Sequence, residues 1–128
     1  GAPPAFEAVS GGADTSLSNL AAAGEQRVCQ AWINFNGTGT IAINDSFNVS
    51  SISDGGTGLT TINFSSAIGN ANYSVSGSAS ANGGGIVMVD GNTGAVDVKT
   101  TGAVRVSTSD SGGNQYDLFE VNVQIFGD

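Results

Sequence analysis

The chain has 128 residues, a formal net charge of -8 and a sequence pI of about 4.1. That is one domain by length, and the acidity excludes the basic footprint of a nucleic-acid-binding surface. Histidine is absent and cysteine occurs once, at Cys29, which excludes Ser-His-Asp and Cys-His catalysis, histidine metal sites and an intrachain disulfide.

Gly, Ser, Asn and Thr together make up 58 residues. Val and Ile supply 20 β-branched apolar residues against four Leu, a ratio that favours strands over helix bundles. Charged residues are only 11%, where about 25% is usual, so hydroxyls, amides and backbone must form the surface. The 39% hydrophobic fraction is enough for one core. No apolar run approaches the ~20 residues of a membrane-spanning helix. No basic start followed by an apolar stretch marks a signal peptide.

Residues 1–26 hold both prolines, Pro3 and Pro4, and show no strand alternation. They read as a linker, or as a short helix over 17–23 capped by Asp14 or Ser16 and stopped by Gly24. From Arg27 onward the pattern becomes that of strands. Cys29, Ala31, Ile33 and Phe35 alternate with Gln30, Trp32 and Asn34, a period of two. Asn36-Gly37-Thr38-Gly39 predicts a tight turn, and 40–44 its partner strand. Phe47 and Val49 continue an apolar face with which Ile52 is out of phase, so a bulge or corner is expected near Ser50. A turn over 54–58 leads to a strand over 59–64, with Thr60, Ile62 and Phe64 on one face. A second turn, 69–72, leads to a strand over 73–79. Loops are expected at 81–85 and 110–115, and short strands at 86–89, 95–99 and 103–109. Phe119, Val121, Val123 and Ile125 then alternate with Glu120, Asn122 and Gln124 in the cleanest pattern of the chain. About eight strands spaced near ten residues apart predict an all-β, antiparallel β-sandwich or jelly-roll-like domain over 27–128. The expected interior is Cys29, Ile33, Phe35, Ile41, Ile43, Ile62, Phe64, Val75, Val121, Val123 and Ile125.

Trp32, Leu118 and Phe126 fall on outward faces, where large apolar side chains need a cover: a second layer of core, a subunit interface, or a sugar stacked on them. Arg105 alternates outward between Val104 and Val106 and can pair with a carboxylate across a sheet or a subunit boundary. Cys29 reads as a small core residue.

The run from Cys29 to Ile43, CQAWINFNGTGTIAI, resembles a segment of the C-terminal domains of bacteriophage tail fibres of the marine and cyanophage type. The pieces NVSSISDGGTG from Asn48, TINF from Thr61, ANY from Ala71, VRV from Val104 and VNVQIF from Val121 fit the same pattern. Leu17-Ser18-Asn19-Leu20 looks like the junction between a fibre's shaft and its tip, so that 1–26 becomes a linker or shaft-junction segment. The resemblance covers roughly 17–126, is most specific over 29–73, and departs from the pattern between Ser76 and Gly102. It implies a homotrimeric distal fibre module in the virion that helps adsorb the phage to its host. It carries no catalytic motif and implies no cofactor.

The chemistry of the residues agrees with a binding module. The Asn-x-Ser/Thr triplets, as at Asn36, Asn44, Asn48, Asn63 and Asn72, arise by chance in so Asn- and Ser-rich a chain and are not expected to carry glycans. The carboxylate pairs Asp90/Asp97 and Asp110/Asp117 lie in turns or at strand ends with no aromatic cleft indicated nearby, so glycoside hydrolysis is not expected. Asp90-Gly91-Asn92 lacks the bidentate acid of a calcium loop and is ordinary turn chemistry. Neither a metal nor a catalytic residue is assigned. The receptor-binding candidates are Asn82, Asp90, Asn92, Asn114 and Tyr116, with Tyr73 and an exposed Trp32 as further aromatic contacts. The subunit-interface candidates are Trp32, Leu118, Phe126, Arg27 and Arg105. The expected partners are a second and third copy of the chain, the upstream shaft, and a host-surface glycan or outer-membrane component. The alternatives are a purely structural trimerisation or capping module, and an extracellular adhesin or carbohydrate-binding module unrelated to phage.

Overall fold

A computed structural model describes residues 28–80, 85–89 and 98–128. They form eight strands: β1 (Cys29–Asn36), β2 (Ala42–Phe47), β3 (Val49–Gly56), β4 (Leu59–Phe64), β5 (Ser74–Ala79), β6 (Ile86–Val89), β7 (Ala103–Ser109) and β8 (Val121–Phe126). Two antiparallel four-stranded sheets result, in the orders β2-β1-β8-β5 and β3-β4-β7-β6. The chain is therefore all-β and sandwich-like among the described residues. Within the first sheet β1 and β2 pair with each other.

The packing follows from period-two alternation, which sends every second side chain to one face. The first sheet contributes Ala31, Ile33 and Phe35 from β1 and Val121, Val123 and Ile125 from β8; the second contributes Ile62 and Phe64 from β4 and Val104 and Val106 from β7. All are buried, and each Val, Ile or Phe taken fully from water is worth about 1.5–3 kcal/mol. Ile43, Val49, Ile52, Val75, Val87 and Val89 pack around this centre. Of the expected interior, Cys29, Ile41, Ile43 and Val75 are only half-buried, because they sit at strand ends or in outer strands.

The chain crosses from the first sheet to the second at Asn48, between β2 and β3. Asn48 has φ 57, a left-handed conformation that Asn tolerates better than most residues. Its Nδ2 donates to the carbonyls of Gln30 and Ser66, and its Oδ1 accepts from the Ser66 N–H. The register also shifts between Val49 and Ser51. The phase break at Ile52 thus reflects a corner and a bulge together. At the opposite edge, Ala79 of β5 bridges Gly85, which leads into β6. Gly77 lets this edge close: a Cβ there would lie 2.5 Å from the Asn122 carbonyl and 3.0 Å from Val87 Cγ1.

Three expectations need correction. Tyr73 is 1% exposed and cannot reach a receptor. Its ring meets Phe64 edge-on with centroids 5.9 Å apart, its hydroxyl is shared between the carbonyls of Thr100 and Ala103, and Lys99 Nζ lies 5.0 Å above the ring. Leu118 does not face outward but is half-buried against the core. Phe119, which alternation puts on the same face as Val121, Val123 and Ile125, is 62% exposed. The cause is common to the last two: β8 begins at Val121, and strand parity does not extend through the segment before it. Residues 1–26, Arg27, the loop at 81–84 and residues 90–97 lie outside the described residues, and with them most of the strand expected at 95–99.

Candidate functional site

One end of the sandwich gathers the β1–β2 loop, the β3–β4 turn, the residue after β5 and the long β7–β8 connection. Residues 115–120 cross this end as a strap from the second sheet to the first, and its backbone is tied down almost residue by residue. The Tyr116 N–H donates to the Thr108 carbonyl at 3.0 Å, and Thr108 Oγ1 donates back to the Tyr116 carbonyl at 2.6 Å. Gly58 N–H donates to Asp117 Oδ1 at 2.7 Å. Gly37 N–H donates to the Leu118 carbonyl at 2.8 Å, and Ser80 N–H to the Glu120 carbonyl at 2.9 Å. With Leu118 turned inward, the rings of Tyr116 and Phe119, 50% and 62% exposed, are left facing solvent on a fixed backbone.

A cavity of about 590 Å³ opens here, lined by Thr38, Ser80, Asp110, Tyr116, Asp117, Leu118 and Phe119. Its volume falls within the range of small-molecule sites, about 300–1,000 Å³. Two rings and a Leu supply apolar faces. The hydroxyls of Thr38 and Ser80 accept, their protons being given to Asn36 Oδ1 at 2.6 Å and the Glu120 carbonyl at 3.4 Å. The Tyr116 hydroxyl can donate or accept, and the carboxylates accept.

Asp110 organises the rim. Its Oδ1 accepts from the Gly112 and Asn114 N–H groups at 2.8 and 2.9 Å, and Asn114 Nδ2 donates to Oδ2 at 3.0 Å. The Asn114 side chain, then its backbone N–H, hold the Asp110 carboxyl below the ordinary carboxylate value. Asp110 thus stays ionised at neutral pH and is a hydrogen-bond acceptor, not a proton donor.

Of the candidate receptor residues, Tyr116 lines the cavity, and Asn114 is spent closing the loop on Asp110. Asn82, Asp90 and Asn92 lie outside the described residues. Asp110 and Asp117, expected to lack an aromatic cleft, instead share one cavity with Tyr116 and Phe119. Of the interface candidates, Trp32 and Phe126 are 36% and 40% exposed. Arg105 is half-buried in β7, in register with Thr61. The chain matches no protein-family model, no curated protein and no solved structure.

Proposed function

We propose that this domain is the distal module of a phage tail fibre, assembled as a homotrimer in the virion, and that it recognises a glycan on the host-cell surface. The cavity between Tyr116 and Phe119 carries this reading. Pyranose rings present C–H faces that pack on aromatic rings, while their hydroxyls pair with Ser, Thr and carboxylate groups; the cavity offers both kinds of contact side by side. The ligand is neutral, because at -8 per chain an anionic polysaccharide is repelled. Three copies on one fibre raise a weak single-site affinity through avidity, with no new contact. The resemblance of the 29–73 region to tail-fibre tips supports the virion setting. The low charge of the loops suits sugar hydroxyls.

Binding without cleavage is the reading the site supports. A glycosidase acid needs its pKa raised, a role to which Asp110, held ionised by Asn114, is not suited. The test is a glycan array probed with the domain and with Tyr116→Ala and Phe119→Ala, alongside sedimentation and an assay for released reducing ends. Binding of neutral glycans lost in both variants, at a mass of three chains and without sugar release, is the expected result. A trimer that binds nothing would make the domain a structural cap, a monomer that binds would make it a module unrelated to fibres, and sugar release would make it an enzyme.

A further inference from the structure

The outer face of the first sheet carries a second polar constellation, which begins two residues beyond the end of the strap. Asn44 Nδ2 donates to Asn34 Oδ1 at 2.8 Å, Asn34 Nδ2 to Asn122 Oδ1 at 2.6 Å, and Asn122 Nδ2 to Ser78 Oγ at 3.4 Å. These residues belong to β2, β1, β8 and β5, so one hydrogen-bonded row runs across the whole sheet. One pleat along lies a second row: Phe47, Trp32, Gln124 and Ser76, aligned by the registers Trp32↔Phe47, Trp32↔Gln124 and Ser76↔Gln124. Ser76 Oγ donates to Gln124 Oε1 at 3.4 Å. Phe47 and Trp32 are 54% and 36% exposed.

We infer that this face is a second binding site, for a neutral, extended oligosaccharide laid across the strands. Each primary amide has two N–H donors and two acceptor lone pairs. In Asn34 and Asn122 the row uses one of each, which fixes the amide plane and leaves one donor and one acceptor pointing to solvent. A preset donor–acceptor pair matches two adjacent sugar hydroxyls and orders little on binding. Strands spaced at about 4.8 Å make the row about 14 Å long, room for two or three sugar rings. Trp32 and Phe47 give one end of the row an apolar floor for a ring face. Asp45, paired in register with Asn34, brings a carboxylate to the β2 edge, which favours an uncharged chain over an anionic one. A second copy of the protein is the poorer occupant. The apolar part of the face is confined to one edge, against the roughly 800 Å² per partner of a stable interface, and two amide rows would have to be desolvated against each other.

Trp32 is the only tryptophan in the chain, so its fluorescence reports this face alone. Titrations with maltotriose, cellotriose, chitotriose and mannotriose, and with polygalacturonate as an anionic control, test the inference. A saturable emission change is expected with at least one neutral trisaccharide and none with polygalacturonate. It should weaken about tenfold in Asn122→Ala and persist in Tyr116→Ala, which separates this site from the cavity. If Asn122→Ala fails to fold, Asn44→Ala, exposed at the end of the row, replaces it with the same expectation. No response to any neutral sugar overturns the inference. So does an emission change that follows protein concentration without sugar, which would make the face a contact between copies.

Discussion

The N–H of Gly58 donates to the carboxylate of Asp117 at 2.7 Å, so a turn of the second sheet holds the strap that carries the cavity. Gly58 has φ +68, and a Cβ on it would lie 2.6 Å from the Thr108 carbonyl and 3.0 Å from the Tyr116 nitrogen. Both features point one way: no side chain fits here. Gly58→Ala should cost about 2–4 kcal/mol, read as a lower urea midpoint at unchanged slope.

Asp117→Ala removes the acceptor from the Gly58 N–H and loosens the strap. A hydrogen bond to a charged group is worth about 1.5–3 kcal/mol at most, so the loss in urea unfolding should be about 1–2 kcal/mol. Tyr116→Ala and Phe119→Ala remove exposed rings only and should stay within about 0.5 kcal/mol of the parent. The pair of results separates building the site from using it.

Burial pushes the Tyr73 hydroxyl up from 10.0 to about 12. The folded state therefore keeps this proton where the unfolded chain releases it. The stabilisation is complete below pH 10 and is lost progressively up to about pH 12, by on the order of 2 kcal/mol in all. Tyr73→Phe should be about 1 kcal/mol less stable at neutral pH and should lack this alkaline decline. Denaturation curves across the alkaline range test both.

Asp110 shifts in the opposite direction. Its carboxyl is held below 3.8 by Asn114, so the order it confers on 110–114 is present above that pH and disappears as pH falls through the lower folded-state value. Amide exchange at Gly112 and Asn114 should stay slow down to the carboxylate range and then quicken. In Asp110→Ala it should be fast throughout.

Much of the scaffold is written in the alternation of a few strands. β1, β4 and β8 each have one face of large apolar residues, and the phase break between Phe47 and Ile52 marks the corner at Asn48. Tyr73 was harder to read, because it is flanked by Asn72 and Ser74 and enters the core from a turn. Its partners Thr100 and Ala103 are distant in sequence, so nothing local indicates that its hydroxyl is satisfied inside. Leu118 and Phe119 were misplaced because alternation was extended beyond the ladder that enforces it. The cavity was only partly legible: Tyr116 and the two aspartates stood out as residue types. Their convergence depends on Gly37, Gly58 and Ser80, which gave no sign of being anchors. The amide row was invisible, since outward Asn residues in single strands look like ordinary surface until the register aligns them.

The two crossings, at Asn48 on one side and through the Ala79–Gly85 bridge on the other, bring the sheet margins together in pairs: β2 beside β3, and β5 beside β6. Among the described residues β2 and β3 share no ladder and each keeps a single strand partner, whereas the Ala79–Gly85 bridge ties β5 to the segment entering β6. The two margins therefore differ in kind: one is stitched by backbone, the other is turned by the side chain of a single asparagine.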